Sequence, residues 1–208
     1  TFSSSARSIS PGLQLPSLYS PVTIDGSSAG VVELNGSSSD SNNYGLLFAG
    51  SDSTVRGLAI HSFWAGSGIQ ATSSQGRNTL IAGCFIGTDP SGTVARPNQI
   101  YGLFVLDCSE NTIGGTAPGE GNLISGNGNG GIHVSGVGSW ENVIVGNLIG
   151  TDVTGRAELG NGTRGVTLSD AWNNEVGGAD PASRNVISGN GLYGVLIEGP
   201  EATGNVVL

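Results

Sequence analysis

The sequence predicts an all-β protein, a parallel β-helix whose three-strand coils stack roughly six to seven deep. Three observations predict it. Glycine supplies 37 of the 208 residues, more than twice the roughly 7% of an average protein, and without the G-X-Y period of collagen. Short runs of Val, Ile and Leu recur between Gly, Ser and Asn, a pattern of many brief strands and turns with almost no helix. The third observation is an internal repeat, which sets the architecture.

Residues 111–115 (NTIGG) match 174–178 (NEVGG), 122–128 (NLISGNG) match 185–191 (NVISGNG), and 86–89 match 149–152 (both IGTD), all at an offset of 63. Glycine-led strands open at Gly45, Gly68, Gly102, Gly131, Gly165 and Gly194, spaced 23, 34, 29, 34 and 29. Two unequal units therefore make each 63-residue period. Within one unit, apolar runs at 131–134, 142–145 and 147–149 predict three strands and three turns, which is one coil of a solenoid. Coils pairing at about 4.8 Å give a rod on the order of 30 Å long. The extra residues at 151–164 and 179–184 fall at corners, where loops leave the stacked core untouched.

Asparagine recurs at two corners: Asn111, Asn142, Asn174 and Asn205 at one, Asn122, Asn147 and Asn185 at another. Stacked amides there can bond from coil to coil and satisfy the turn backbone. Cys84 takes the place that Asn147 holds one period later, and Cys108 lies at a different corner, which favours two thiols over a disulfide. Two cysteines are too few for a disulfide framework, and His61 and His133 are too far apart for a metal-binding spacing. Net charge is −9 with no basic cluster, which argues against a nucleic-acid partner. No apolar stretch approaches the ~20 residues of a membrane span. The acidic, lysine-free composition suits a secreted or cell-surface protein. The first residue is Thr1 rather than Met, so the chain reads as a processed protein or an excerpt.

Residues 22–26 (VTIDG), 33–38 (ELNGSS), 53–58 (STVRGL), 147–152 (NLIGTD) and 184–191 (RNVISGNG) carry a resemblance. From about residue 20 to the C-terminus the chain resembles the right-handed parallel β-helix repeat proteins, which are pectin-lyase-like in fold and found mainly in large bacterial extracellular proteins. The resemblance implies the fold and an exported location. It implies little about activity, because that fold hosts lyases, hydrolases, epimerases, tailspikes and passive rods. The pattern departs at Cys84, where an Asn is usual, and it stops at Leu208, where another glycine-led run is expected. A lyase of this fold acting on acidic polysaccharide would need a Ca²⁺-binding carboxylate cluster and a basic residue. Here the seven basic residues are all scattered arginines, and a charge of −9 repels a polyuronate.

Aligning coils at the corner places Arg77, Glu110, Glu141 and Asn173 in one column, and Gly76, Ser109, Trp140 and Trp172 in the column before it. Glu110 and Glu141 are then one coil apart, about 5 Å at the backbone. Paired carboxylates of that kind serve retaining glycoside hydrolysis or grip Ca²⁺. Stacked Trp140 and Trp172 offer a platform for a sugar ring or a protein partner. The plainer alternative is an Arg77–Glu110 salt bridge beside an aromatic ladder that stiffens the corner. Asp89 and Asp152 close repeated IGTDxxG turns, where a carboxylate accepts backbone N–H groups. Weak Ca²⁺ binding is the second reading for them.

His133 lies between Ile132 and Val134 and faces outward by strand alternation. Its column reads Leu47, Gln70, Phe104, His133, Thr167 and Leu196, more apolar than a solvated sheet. That stripe suits a covering loop, a glycan or a neighbouring chain, with His133 as a candidate general base. His61, near Phe63 and Trp64, reads as packing.

Residues 1–20, Ser-rich with Pro11 and Pro16, are expected to form an N-terminal cap, and 21–208 the β-helix. At the other end Val206, Val207 and Leu208 form an apolar edge, expected either to be continued by more chain or to pair head-to-tail with another copy. Asn35-Gly36-Ser37 and Asn161-Gly162-Thr163 match the N-glycosylation pattern. The function expected from all this is an extracellular structural or adhesive rod, as filament subunit or stalk, that needs no cofactor. The alternative is a carbohydrate-binding or carbohydrate-cleaving module built on Glu110, Glu141, Trp140, Trp172, Phe104 and His133.

Overall fold

A computed structural model describes residues 8–19, 21–28, 30–39, 44–72 and 76–208. The first coil holds β1 (Ser8–Ile9) and β2 (Thr23–Asp25), and the second β3 (Val32–Asn35), β4 (Leu46–Phe48) and β5 (Thr54–Arg56). The third holds β6 (Leu58–His61), β7 (Ile69–Thr72) and β8 (Leu80–Ala82), and the fourth β9 (Phe85–Ile86), β10 (Tyr101–Leu106) and β11 (Thr112–Gly114). The fifth holds β12 (Leu123–Ile124), β13 (Gly130–Ser135) and β14 (Val143–Val145), and the sixth β15 (Leu148–Ile149), β16 (Arg164–Ser169) and β17 (Glu175–Val176). The seventh holds β18 (Val186–Ile187), β19 (Tyr193–Glu198) and β20 (Val206–Val207).

Each strand pairs in parallel with its counterpart one coil away, giving a β-solenoid with three faces. Sheet A, of seven strands, contains β1, β3, β6, β9, β12, β15 and β18. Sheet B, of six, runs from β4 to β19, and sheet C, of seven, from β2 to β20. Among the described residues there is no α-helix, and the two 3-10 turns at Gly36–Ser38 and Pro181–Ser183 lie at corners. The expected cap falls partly outside the described residues, at 1–7 and 20. Within it, Ser8–Ile9 pairs with Glu33–Leu34 and Leu18 bridges Phe48, so this segment joins sheets A and B.

The core is a set of stacked columns, because strand alternation repeats in every coil. Ile60, Ile86, Ile124 and Ile149 lie in register in sheet A, each at 0% exposure. Val55, Ile81, Ile113, Ile144 and Val176 form the matching column in sheet C, each at 2% exposure or less. β-branched side chains pack well on such a pleated surface, and each fully buried one contributes about 1.5–3 kcal/mol. Cys84 and Cys108 are buried thiols, not bridged to one another. Burial pushes the Cys84 thiol up to about 12.

Three corners, not two, carry asparagine ladders. Asn111 Nδ2 donates to Asn142 Oδ1 at 2.8 Å, Asn142 to Asn174 at 2.9 Å, and Asn174 to Asn205 at 3.0 Å. Asn122, Asn147 and Asn185 repeat the arrangement at 2.9 and 3.0 Å. The third ladder links Asn98, Asn127, Asn161 and Asn190 at 3.0, 2.9 and 2.9 Å. Its signal was present in the sequence, since Asn98 and Asn161, like Asn127 and Asn190, are 63 residues apart. Cys84 replaces an asparagine at the head of one ladder, and its backbone N–H still donates to Asn122 Oδ1 at 2.9 Å.

Candidate functional site

Sheet B presents its middle column outward, in the register expected from the repeat: Leu47, Gln70, Phe104, His133, Thr167 and Leu196. Tyr101 and Arg164 stand in the column on one side, and Ser135, Ser169 and Glu198 in the column on the other. Tyr101 and Phe104 converge on His133. Tyr101 meets the imidazole edge-on at 4.7 Å between ring centroids, and Phe104 lies tilted at 5.3 Å from it. Gly130 makes this possible, because a Cβ there would touch the Tyr101 ring.

His133 has an oriented ring. Its Nε2 lies 3.3 Å from Ser169 Oγ, and the Ser169 hydroxyl donates to Glu198 Oε1 at 3.0 Å. A carboxylate can only accept, so Ser169 gives its proton to Glu198 and takes its second bond from His133 Nε2–H. The other nitrogen, Nδ1, is left as a lone pair when the ring is neutral. Burial pulls the His133 pKa below the usual imidazole value, and Arg164 adds to that effect while Glu198 opposes it. Sequence reasoning found no carboxylate for His133. Glu198 fills that role diagonally across two strands, through Ser169.

Among the described residues, three buried side-chain polar atoms lack a hydrogen-bond partner: Gln70 Oε1, His133 Nδ1 and Arg164 Nε. All three belong to the outer face of sheet B. Gln70 is only 8% exposed although it points outward. Unsatisfied buried polar atoms cost about 1–3 kcal/mol each, and native proteins keep few of them. These two acceptors and one donor lie beneath a face that carries three rings, Tyr101, Phe104 and His133.

Trp140 and Trp172 bridge in parallel and stack at 5.6 Å with planes 23° apart, and Trp172 Nε1 donates to Val137 O at 2.9 Å. Glu110 and Glu141 are exposed neighbours in a column whose backbone is left-handed: Asn78, Glu110, Glu141 and Asn173 have φ of 58, 57, 52 and 53°. The expected Arg77–Glu110 alignment is displaced by one residue. Thr79 takes the slot before Asn111, Asn78 takes the left-handed position, and Arg77 bridges Ser109 instead. The reason is local, because asparagine accepts a positive φ more readily than arginine does.

Asp89 and Asp152 are used within their own turns. Asp89 accepts from Ser91 Oγ and Val94 N–H, and Asp152 from Thr154, Arg156 and Ala157 N–H groups. Side-chain bonding from Thr154 holds the Asp152 carboxyl below its usual range. Among the described residues no three His, Cys, Asp or Glu side chains gather as a metal site. Val206 and Val207 pair with Glu175 and Val176, and they and Leu208 are 45, 50 and 64% exposed. Asn161 is 1% exposed within its ladder, which leaves its amide closed to a glycan, whereas Asn35 is half-buried and accepts from Ser37 N–H.

His61 does more than pack. It is 2% exposed, its Nε2 meets Glu33 Oε1 at 2.8 Å, and its Nδ1 meets Ser62 Oγ at 3.0 Å. Elsewhere a groove of about 390 Å³ runs beside Phe85, Thr116, Ala117, Leu148, Val153 and Ala182, and its lining holds no titratable side chain. Among the described residues no helix is long and apolar enough to cross a membrane. Comparison with family models, curated proteins and solved structures gives no match to this chain.

Proposed function

We propose that this chain is an adhesive β-solenoid rod that works outside the cell and holds a neutral glycan on the outer face of sheet B. The observation that carries the reading is the outer face of sheet B, where Tyr101 and Phe104 flank His133 and where Gln70 Oε1, His133 Nδ1 and Arg164 Nε, spread along four coils, each lack a partner. A sugar offers what that face lacks: hydroxyl groups that both donate and accept, and C–H faces that rest on aromatic rings. The net charge of −9 weighs against a polyanionic ligand. The lysine-free composition supports an exported location. A stack of parallel coils held by asparagine ladders is stiff enough to serve as a stalk.

Screening the purified chain on a glycan array, followed by calorimetry on the best neutral glycan, tests the proposal. Phe104→Ala, which removes one outward ring and leaves the core columns intact, is expected to weaken binding about tenfold or more. Trp172→Ala, at a different corner, is expected to leave it within about twofold. A blank array, or equal affinity for Phe104→Ala and the parent chain, would overturn it.

A further inference from the structure

Outside the sheet B face, the chain carries a second arrangement that a rod does not need. We propose that Ser62, His61 and Glu33 form a hydrolytic site, with Ser62 as nucleophile, His61 as its base and Glu33 as the group that positions the base, acting on small acyl esters. The proposal goes beyond glycan binding and stands or falls separately from it.

The geometry is that of a nucleophile, a base and an orienting carboxylate. Ser62 Oγ lies 3.0 Å from His61 Nδ1, and His61 Nε2 lies 2.8 Å from Glu33 Oε1. Since the Glu33 carboxylate accepts from Nε2–H, Nδ1 is the nitrogen left to accept the serine proton. Burial works against ionisation of Glu33, but hydrogen bonds from Ser8 and His61 outweigh it and hold the carboxyl below its usual range. An ionised carboxylate there stabilises the imidazolium that forms when Ser62 gives up its proton.

Ser62 also has a strained backbone, with φ at 64°. In register with it on later coils stand Thr88, Gly126, Thr151 and Gly189, and the two glycines have φ of 70 and 72°. The backbone at this corner thus accepts glycine, yet the third coil keeps a serine. Positions in register with His61 are Asn35, Gly87, Ser125, Gly150 and Ser188, so the imidazole occurs on one coil alone. A scaffold device recurs, as the asparagine ladders do, whereas a reactive site occurs once. The left-handed backbone belongs to the corner, which Gly126 and Gly189 share, and what is particular to this coil is a part-exposed serine hydroxyl on a carboxylate-bound imidazole. Two residues on, Trp64 is 62% exposed and offers a ring on which a substrate can rest.

The reaction balances with water as co-reactant. Ser62 Oγ bonds to the acyl carbon as its proton passes to His61 Nδ1. The ester C–O bond then breaks, and the alcohol leaves with that proton. Water adds to the acyl-serine, giving one proton to His61, and the acid departs as that proton returns to Oγ.

The test uses the whole chain with p-nitrophenyl acetate and a fluorophosphonate probe. Hydrolysis above the imidazole background is expected, with the phosphonyl adduct mapping to Ser62 by mass spectrometry. Ser62→Gly removes the nucleophile and relieves the backbone, so it should fold at least as well while hydrolysis falls at least ~100-fold. Glu33→Gln should lower kcat about tenfold or more with KM unchanged, a split that loss of mere packing would not give. No adduct at Ser62, or a Ser62→Gly chain that keeps its hydrolysis, would overturn the proposal.

Discussion

Replacing Asn142 by alanine tests whether the ladders, rather than the apolar columns alone, hold the coils in register. Asn142 is 0% exposed. Its Oδ1 accepts from Asn111 N–H at 3.0 Å and from Asn111 Nδ2 at 2.8 Å. Its Nδ2 donates to Cys108 O at 3.1 Å and to Asn174 Oδ1 at 2.9 Å. Asn174 Oδ1 keeps a second donor, the backbone N–H of residue 142 at 2.9 Å, so it is not orphaned. The Asn111 N–H and one Asn111 amide hydrogen lose partners away from water. At about 1–3 kcal/mol for each group left unsatisfied, the substitution should cost about 2–6 kcal/mol. Asn205 makes equivalent bonds, to Asn174 and Ala171, at a half-buried position that water reaches. Asn205→Ala should therefore cost only about 1 kcal/mol. Solenoid coils melt with limited cooperativity, so the probe must be local. In a Trp64→Phe background, urea denaturation followed by tryptophan fluorescence reports on the Trp140–Trp172 stack at this same corner. Equal costs for the two substitutions, or less than about 1 kcal/mol for Asn142→Ala, would refute the reasoning.

Three further outcomes follow from the structure. Cys84, fully buried with its thiol pushed up to about 12, should resist iodoacetamide at neutral pH and react only as the protein unfolds, which peptide mapping over a urea series reads directly. His133 has a depressed folded pKa, so its contribution to stability is present above the unfolded value, about 6.5, and is lost as pH falls through the folded value. His133→Gln should flatten the acid limb of a thermal-stability profile in that window, and an unchanged profile would contradict the assignment. Gly136, at φ 90°, lies under the Asp107 carboxylate, where a Cβ would collide with it. Gly136→Ala should destabilise by about 1–2 kcal/mol or more, and Asp107→Gly in the same chain should recover part of that loss in the same denaturation assay.

The coil architecture was legible because every level of the sequence agreed on one period. The apolar columns, two asparagine ladders and the outward column through His133 all follow from counting 63 residues and alternating along strands. The third ladder carried the same signal but sat in glycine-rich corners, where Asn127 and Asn190 read as turn residues. Arg77 slipped by one position because Asn78 resembled a ladder member, whereas the left-handed corner is what claimed it. The polar partnerships were out of reach for a different reason. Glu198 reaches His133 through Ser169, and Glu33 reaches His61 from the coil before, in ways that depend on side-chain direction rather than register. The first three coils also depart from the repeat, so no second copy of the Glu33–His61 pair existed to reveal it.

The most direct test of the sheet B site is nitrogen-15 NMR of the imidazoles, because the chain has only two histidines. The account predicts that His133 is neutral above pH 7, protonated at Nε2 and bare at Nδ1, and that a bound neutral glycan shifts the Nδ1 resonance while His61 stays unmoved. A His133 proton residing on Nδ1, or an Nδ1 resonance that no glycan retained on the array displaces, would contradict it.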